Sequence, residues 1–286
     1  MNNPPAVAIV TGASRGAGRG IALALGSHGC TVYVTGRSER TGDANLPGTI
    51  YETADAVTAA GGRGIAVRVD HADDEQTRRL IKQVEAEQGR LDILVNNACA
   101  IYDELSMPGT FWEKPLKLAD MFDVGLRSSY VASHCAAPLM VAQQRGLMIF
   151  TSASGAAHYV FGAAYGVHKA GMDKMAADMA VDLKEHNVAA LSIWMGALLT
   201  ERLQRMIESE PDKYGHLEGH TETPEFTGHI IWALYNDPEL MTLSGQTMIG
   251  AEMSPRYGIQ DRGRQPSSYR DTHQVAPLTQ YPNIVR

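Results

Sequence analysis

Two residues one helical turn apart, Tyr165 and Lys169, could act together as an acid–base pair. If residues 164–172 are helical, the two side chains share one face, close enough for the ammonium to stabilise a phenolate. A free tyrosine has a pKa of about 10, and lowering it by about three units requires about 4 kcal/mol of preference for the phenolate. A fixed neighbouring cation supplies part of that free energy. The pattern indicates a proton donor to a reacting oxygen, or a core tyrosine followed by a solvated lysine.

Three glycines near the start of the chain, Gly12, Gly16 and Gly18, could surround a phosphate. They follow the apolar residues 6–11 and precede residues 20–27, which have a helical pattern. A tight glycine turn lets the backbone approach a pyrophosphate, and the N–H groups that start the next helix attract anions. The alternative is a turn that only connects a strand to a helix. Because this turn leaves a buried strand and opens a helix, we interpret it as a dinucleotide-binding turn.

The end of the second predicted strand bears on the choice of nucleotide. Thr35, Gly36 and Arg37 follow one another there, without the carboxylate that would bind the ribose 2′-hydroxyl of NAD. Arg15, in the first turn, could approach the same point. Two guanidinium groups suit a 2′-phosphate, so these residues favour NADP(H), while the alternative for either arginine is an ordinary surface position.

The segments that must position these groups alternate between strand and helix. Short apolar segments rich in β-branched residues predict seven strands, at residues 6–11, 31–35, 65–69, 91–95, 147–151, 188–194 and 246–249. Helical patterns lie between them, at residues 20–27, 51–60, 73–89 and 117–144, and from the Tyr165 segment to about residue 185. The alternation predicts an α/β fold, a single doubly wound Rossmann-type domain with a seven-stranded parallel sheet and helices on both faces.

The domain is expected to occupy most of the chain. Residues 1–252 should form the NADP-binding catalytic domain, including a substrate-loop segment at about residues 197–223. Residues 253–286 follow the last predicted strand and have little periodicity. We expect this C-terminal extension to pack on the same domain or on a neighbouring subunit, and the sequence leaves both arrangements open.

The composition argues against several other classes of protein. The 286 residues carry a net charge of −7 that is spread along the chain, which disfavours a nucleic-acid partner. No apolar segment reaches the roughly 18 residues of a membrane span, and the start lacks the pattern of a signal peptide. Three cysteines without CxxC spacing indicate neither a disulfide framework nor a zinc site. We therefore expect a cytoplasmic protein without a metal.

Several motifs together resemble, in order and spacing, those of the short-chain dehydrogenase/reductase superfamily. They lie within residues 6–250 and are TGASRGAG at 11–18, NNA at 96–98, Ser152, Tyr165-x-x-x-Lys169, and Gly196 with Thr200. Further segments are similar to those of the dehydrogenase/reductase member 1 group of that superfamily, namely VGLR at 124–127, YGVHKAGMDKMAADMA at 165–180 and RYGIQD at 256–261.

The resemblance implies an oxidoreductase that interconverts carbonyls and alcohols with three catalytic residues. Tyr165 would donate a proton to the carbonyl oxygen, and Lys169 would lower the tyrosine pKa and bind the nicotinamide ribose. Ser152, thirteen residues before Tyr165, would hold the substrate oxygen. Hydride would come from nicotinamide C4. The protein would therefore orient and polarise the reactants, while the cofactor supplies the redox chemistry.

The resemblance also implies which residues bind NADP(H). The glycine turn would line the phosphates and the adenosine ribose, and the residue pair after the third strand would approach adenine. Other residues would support the ribose and contact the nicotinamide carboxamide. The full set is Gly12, Ser14, Arg15, Gly16, Ala17, Gly18, Arg37, Asp70, His71, Asn97, Ala98, Tyr165, Lys169, Leu198 and Thr200.

Three residues depart from the family pattern. Gly125 stands where the family has a catalytic asparagine that binds a relay water, so a backbone carbonyl would have to replace that side chain. Cys99 replaces the last glycine of the NNAG motif. Met195 replaces a proline after the sixth strand, which would reshape the nicotinamide end of the site.

Apolar residues in the predicted loops could line a substrate cleft or belong to the core, and the sequence leaves both open. They are Tyr102, Phe111, Trp112, Tyr159 and Phe161, with Leu198, Leu199, Leu203, Met206 and Ile207 as an amphipathic lid. The cleft interpretation favours a lipophilic ketone or aldehyde. His168 should project from a different helix face than Lys169 and have a packing or solvated role. His216 and His220 lie beside glycines, so we expect no metal site there.

These inferences converge on an NADP(H)-dependent oxidoreductase that acts on a small-molecule carbonyl or alcohol. The resemblance further implies a homodimer or homotetramer. Two alternatives stay open, a non-catalytic NADP(H) sensor, which only Gly125 favours, and a lyase or epimerase on the same fold.

Overall fold

A central parallel sheet organises the protein. The computed structural model describes residues 4–285, and within them seven strands hydrogen-bond in the order β3-β2-β1-β4-β5-β6-β7. The prediction of a doubly wound, seven-stranded parallel sheet is confirmed. The strands are β1 (Val7–Val10), β2 (Thr31–Gly36), β3 (Arg63–Arg68), β4 (Ile93–Asn96), β5 (Gly146–Ser152), β6 (Val188–Trp194) and β7 (Thr247–Ile249).

Helices cover both faces of the sheet. Successive residues of β5 face opposite cores, so Ile149 packs with Ile21 and Ile230 on one face while Phe150 packs with Leu80 and Met172 on the other. The α-helices are α1 (Gly16–Ser27), α2 (Ile50–Ala59), α3 (Asp74–Gln88), α4 (Ser128–Ala142), α5 (Ala163–Leu183), α6 (Glu201–Ser209), α7 (Pro211–Tyr214), α8 (Pro224–Tyr235), α9 (Leu240–Leu243), α10 (Gly250–Tyr257) and α11 (Tyr269–His273). None of the helices between residues 4 and 285 is long and apolar enough to cross a membrane.

The strand order reverses between β1 and β4. The chain runs outward from β1 through β2 to β3, and then returns to place β4 on the other side of β1. In open α/β sheets such a reversal leaves a crevice at the carboxyl ends of the strands. Because the strands are parallel, the residues that follow each of them meet at this one edge.

The predicted helix at residues 117–144 is wrong in its first part. The chain forms short 3₁₀ turns at Asp103–Ser106 and Leu116–Ala119, and then a kinked segment, Phe122–Arg127, before α4 begins. Within the kink Gly125 has a φ of 150°, which side chains rarely adopt, and its N–H donates to the Ser128 hydroxyl at 2.9 Å. Helical periodicity continued through this glycine, so the sequence pattern did not reveal the break.

The C-terminal segment packs on its own domain. Ser268 caps α11 and donates through its hydroxyl to Glu252 of α10 at 2.7 Å, and Arg270 donates to the same carboxylate at 2.9 Å. Ser268 and Arg270 thus contact α10 of the same chain, and the expectation that the extension packs on the same domain or on a neighbouring subunit stays a prediction.

Candidate active site

The glycine turn lies between β1 and α1 at the carboxyl edge of the sheet. Gly12 has a φ of 65°, and a Cβ atom there would lie 2.7 Å from the Cα of Ala98. A Cβ atom at Gly18 would lie 2.4 Å from the Gly12 carbonyl oxygen. Both distances are shorter than the contacts that real Cβ atoms make, so the turn and its approach to the end of β4 require glycine at these positions.

Asn97, directly after β4, holds this turn in place. Its side-chain amide donates to the carbonyl oxygens of Thr11 at 2.8 Å and Gly12 at 3.2 Å. The Thr11 hydroxyl in turn accepts from the backbone N–H groups of Asn97 and Ala98, both at 2.9 Å. The predicted cofactor residues Asn97 and Ala98 therefore shape the glycine turn from the neighbouring strand.

A carboxylate accepts a hydrogen bond from the first N–H of α1. Glu201, the first residue of α6, accepts from the Gly16 N–H at 2.9 Å. This N–H belongs to a helix N-terminus, which favours negative charge. The turn thus accommodates one anion at the place where the sequence predicts the phosphates of a dinucleotide. Ser14 is buried and Ala17 half-buried in the same turn.

Two arginines flank the end of β2. The Arg15 guanidinium donates to the Ser38 hydroxyl at 2.8 Å and to the Gly48 carbonyl oxygen at 2.8 Å. The Arg37 side chain is 63% exposed and lies 3.7 Å from the Asp70 carboxylate. Arg15 and Arg37 thus have different partners, and Asp70 offsets part of the charge of Arg37, so their convergence on one phosphate stays a prediction.

The two residues after β3 have different surroundings. The Asp70 carboxylate accepts from the Ala72 N–H at 3.0 Å and faces Arg37, at the carboxyl edge. The His71 ring is buried, with Nε2 2.9 Å from the Thr35 hydroxyl, and burial lowers its pKa to about 4. The His71 side chain is therefore neutral and points into the protein, so that only its backbone could face a nucleotide.

Tyr165 and Lys169 lie one turn apart near the start of α5, as the spacing predicted. The Lys169 ammonium is buried, donates to the Thr151 carbonyl oxygen at 3.2 Å and lies 5.6 Å from the centre of the Tyr165 ring. The ring packs on Gly155, where a Cβ atom would lie 2.6 Å from Cε1 of Tyr165. The pair is thus fixed between α5 and the end of β5.

Burial changes the acidity of both members of the pair. It raises the pKa of the Tyr165 phenol, and the neighbouring Tyr269 and Cys99 add to this effect. Burial also lowers the pKa of the Lys169 ammonium, against the opposing influence of Cys99 and Asp173. The protein groups therefore shift the tyrosine pKa upward, opposite to the expected direction, which keeps the phenol protonated at neutral pH.

Ser152 lies at the last position of β5 and is fully buried. Its hydroxyl donates to the backbone carbonyl oxygen of Lys169 at 3.1 Å. Ser152 and Lys169 are thus brought together through the backbone of α5. To bind a substrate oxygen, the Ser152 hydroxyl would have to rotate away from this carbonyl.

His168 fills the space opposite Gly125. A Cβ atom at Gly125 would lie 2.9 Å from Nε2 of His168 and 3.4 Å from Sγ of Cys99. The His168 ring is 1% exposed, and Nε2 has no hydrogen-bond partner. Burial, followed by the charge of Lys169, lowers the His168 pKa to about 2, so the ring is a neutral packing group, consistent with the role expected for it. Asparagine would not fit at position 125 in this packing.

The predicted nicotinamide residues Leu198 and Thr200 lie in the segment after β6. Leu198 pairs with Glu222 in a short parallel bridge, and the Thr200 hydroxyl caps α6 by accepting from the Leu203 N–H at 3.3 Å. The buried Glu222 carboxylate accepts from the Gly196 N–H at 3.0 Å. Burial raises the pKa of Glu222 to about 7.

The apolar loop residues divide between exposed and buried positions. Phe111, Trp112 and Tyr159 are 70%, 71% and 79% exposed, and Phe161 stacks edge-on against Tyr165 with ring centres 5.3 Å apart. The alternative that the aromatic residues belong to the core is wrong for Phe111, Trp112 and Tyr159, whereas Tyr102 packs on the buried cluster around Leu105. In α6, Ile207 is buried and Leu203 and Met206 are half-buried, as in an amphipathic helix.

Three residues around the site were missed in the sequence. They are Ser154, which hydrogen-bonds His158 at 2.9 Å, the buried Glu222, and Tyr269 of the C-terminal segment. Ser154 could have been found from its position two residues after Ser152. Glu222 and Tyr269 lie in segments without periodicity, and only the fold brings them to this edge. Across residues 4–285, no group of three or more His, Cys, Asp or Glu side chains could hold a metal.

The chain matches a family model and curated relatives over most of its length. Residues 6–211 match the model described as short chain dehydrogenase. Dehydrogenase/reductase SDR family member 1 from Mus musculus and from Homo sapiens are each 38% identical over 266 residues, covering 89% of this chain and 82% of theirs.

A solved structure shares the fold. A short chain dehydrogenase from Mycobacterium thermoresistibile superposes with a TM-score of 0.75 at 23% identity, covering 92% of this chain and 93% of that chain. This structure supports the fold, whereas the family model and the two curated relatives confirm the resemblance inferred from the motifs, for both the superfamily and the group.

Proposed function

Because the chain belongs to the short chain dehydrogenase family, whose members are oxidoreductases that bind a nicotinamide cofactor, we propose that it reduces carbonyl compounds with NADPH. The observation that carries this proposal is the placement of Tyr165 beside a buried Lys169, at the same sheet edge as the glycine turn. The bound nicotinamide would supply hydride to the carbonyl carbon.

The protein residues would move and hold the proton. Tyr165 starts protonated because burial raises its pKa, which suits a proton donor to the carbonyl oxygen during reduction. The Lys169 ammonium, held by the Thr151 carbonyl, would stabilise the phenolate that results. The Ser152 hydroxyl, after leaving the Lys169 carbonyl, would hold the same substrate oxygen.

Turnover by a Tyr165→Phe variant tests this function. We expect the wild-type protein to oxidise NADPH with bulky apolar ketones or aldehydes and the variant to lose activity by at least about 100-fold, since general acid catalysis contributes on that order. Equal rates in the two proteins would contradict a catalytic role for Tyr165, and no turnover by either protein would favour a nucleotide sensor. Turnover of only small charged ketoacids would contradict the lipophilic substrate, which the exposed aromatic loops favour.

The choice of NADP(H) rests on Arg15 and Arg37 at the end of β2. A guanidinium bound to a 2′-phosphate contributes about 1.5–3 kcal/mol, so Arg37→Ala should weaken NADPH binding at least about tenfold and NADH binding little. Arg40→Ala, in the same exposed loop, is the matched control. Equal losses for the two nucleotides in Arg37→Ala would refute the preference.

We also propose that the protein is a cytoplasmic homodimer or homotetramer. A groove between the kinked segment, α4 and α5 exposes apolar side chains, among them Phe122 at 37% and Tyr130 at 55%. Apolar surface of this kind favours a protein partner, here a second copy. Cys30, Cys99 and Cys135 are all free thiols, which suits a reducing compartment.

A further inference from the structure

Asp173 lies one helical turn after Lys169, on the same face of α5. Asp173 is 8% exposed, so its carboxylate is in the interior of the protein. One carboxylate oxygen accepts from the Ser192 hydroxyl at 2.6 Å, and the other accepts from the indole N–H of Trp194 at 2.8 Å. Both donors belong to β6, so the two hydrogen bonds tie α5 to this strand.

The strand that carries these donors is the neighbour of the strand that ends in the predicted catalytic serine. Trp194 pairs with Ser152 in the parallel register of β5 and β6. The N–H of Met195 then donates to the Ser152 carbonyl oxygen at 3.2 Å, a bond that a proline at this position could not make. The hydrogen bonds to Asp173 are therefore made next to Ser152.

The same helix is bonded to β5 one turn earlier. The Lys169 ammonium donates to the Thr151 carbonyl oxygen at 3.2 Å, and the Ser152 hydroxyl donates to the Lys169 carbonyl oxygen at 3.1 Å. Lys169 thus fixes α5 against β5, whereas Asp173 fixes it against β6. Tyr165 lies one turn before Lys169, so these two attachments set the position of its phenol relative to Ser152.

Asp173 adds a negative charge to surroundings that are otherwise neutral. In the described part of the chain, the titratable groups around Lys169 are Tyr165 and His168 on α5, Cys99 after β4, and Asp173. Burial raises the pKa of the Tyr165 phenol, raises that of the Cys99 thiol to about 11 and lowers that of His168 to about 2. These three groups are therefore uncharged at neutral pH. A buried ammonium is costly without a counter-charge, and a carboxylate one turn along the helix provides one.

The surroundings of Asp173 accommodate its ionised form. Each of its two oxygens accepts a hydrogen bond, as an ionised carboxylate does. Burial raises the pKa of Asp173, while the hydrogen bonds from Ser192 and Trp194 and the charge of Lys169 oppose this effect.

We propose that Asp173 is a positioning residue for the reaction, which fixes α5 against β6 and serves as the counter-charge of the Lys169 ammonium. This inference rests on the proposed function and adds a residue to it. Tyr165 becomes a phenolate when it gives its proton to the carbonyl oxygen, and the ammonium stabilises that phenolate. Because the carboxylate helps to retain the ammonium, loss of the carboxylate should first be felt at alkaline pH.

Asp173→Asn removes the charge and keeps the hydrogen bonds. The amide oxygen can accept from Trp194, and the amide N–H can donate to the Ser192 hydroxyl, which also lies 3.3 Å from the Phe150 carbonyl oxygen. The melting temperature is measured to show that the variant folds.

The test follows kcat against pH for NADPH oxidation with a bulky apolar ketone. Without the negative charge the pKa of Lys169 should fall, so the alkaline limb of kcat should move lower by at least about one pH unit in Asp173→Asn. The KM for the ketone should change less than about twofold, since the phenolate forms only during the reaction. Asp55→Asn, exposed on α2, is the matched control and should change neither quantity.

Ser192→Ala removes one of the two hydrogen bonds and leaves the charge in place. It should reduce kcat about threefold without moving the alkaline limb, and an unchanged kcat would overturn the positioning role. An alkaline limb that stays in place in Asp173→Asn would overturn the role as counter-charge.

Failure of the proposed function has a different signature, because the wild-type protein would then oxidise NADPH with no carbonyl compound. In that case the pKa of Lys169 is measured by NMR on protein with isotope-labelled lysine, and Lys169→Met assigns the signal. Asp173→Asn must lower this pKa by at least about one pH unit, and an equal pKa in the two proteins overturns the inference.

Discussion

At the scale of single residues, Gly125 and His168 are coupled. The glycine combines a φ of 150° with a position where a Cβ atom would lie 2.9 Å from the His168 ring. The histidine is buried and neutral and occupies the volume that a side chain at position 125 would need. The replacement of the family asparagine by glycine is therefore matched by a large neighbour on α5.

This coupling predicts that Gly125→Ala destabilises the protein by steric contact. Gly29 serves as the matched control, since its φ is also positive, at 81°, while nothing lies within 4 Å of its Cβ position. We expect Gly125→Ala to lower the free energy of unfolding by about 1–2 kcal/mol more than Gly29→Ala in urea denaturation. The excess should disappear in a His168→Ala background, and its persistence there would contradict the coupling.

The buried Glu222 predicts a pH dependence of stability. Its pKa is about 7 in the folded protein and 4.5 unfolded, so between these values the native state holds more protons and stability falls as pH rises. The free energy of unfolding is lower by about 3 kcal/mol above pH 7 than at acidic pH. Glu222→Gln should therefore raise the melting temperature at pH 8 but not at pH 4.5. Glu218→Gln, exposed in the same loop, should change the melting temperature at neither pH. Equal shifts of the melting temperature at both pH values in Glu222→Gln would refute the raised pKa.

The sequence revealed those site residues whose chemistry is tied to a local pattern. Tyr165 and Lys169 share a helix face, and the glycine turn lies between a buried strand and a helix, so both could be predicted. The raised pKa of Tyr165 depends on burial by distant segments, and the hydrogen bond from Ser152 to the Lys169 carbonyl depends on the packing of α5 on β5. Such tertiary effects do not produce a periodic pattern in the sequence.

At the scale of elements, α6 lies across the nucleotide crevice. Glu201 bonds the Gly16 N–H, Arg202 pairs with Asp103 after β4, and Arg205 donates to the Asn45 carbonyl oxygen after β2. The helix thus bonds to three separate loops at the carboxyl edge of the sheet. Cofactor phosphates and the Glu201 carboxylate would compete for the same N–H.

This competition predicts that Glu201→Gln tightens NADPH binding. The change removes a negative charge from the phosphate turn while keeping the shape of the side chain, so the Kd should fall about threefold to tenfold by fluorescence titration. Glu208→Gln, on the exposed face of the same helix, provides the control. An unchanged or weaker affinity would show that Glu201 does not oppose the phosphates.

Most strands were predictable as elements because they are buried on both faces and therefore largely apolar, whereas β3 at the sheet edge is only half-buried. β6 has the predicted bounds, Val188–Trp194, and the others differ by one or two residues at their ends. The kink at Phe122–Arg127 was not predictable, because the helical pattern continues through Val124 and Gly125 while their φ and ψ angles leave the helical region.

At the scale of the whole molecule, the groove beside α4 and α5 predicts self-association. The chain has a mass of 30.9 kDa, and light scattering should give two or four times this value. Tyr130→Glu places a charge in the groove and should shift the mass toward the monomer, whereas Tyr51→Glu, 49% exposed on α2, should not. A monomeric wild-type protein at micromolar concentration would contradict the proposal.

The fold brings residues from distant parts of the chain to one sheet edge, from the glycine turn to Glu222. Hydride is expected to pass from nicotinamide to a carbonyl carbon at this edge, and NADPH deuterated at C4 tests this transfer most directly. With a bulky apolar ketone, mass spectrometry should find one deuterium on the carbinol carbon of the product alcohol, and Tyr165→Phe should form almost none. Hydride transfer would be contradicted if the product alcohol contained no deuterium whichever face of C4 carried the label. It would also be contradicted if the wild-type protein formed no alcohol from any carbonyl tested.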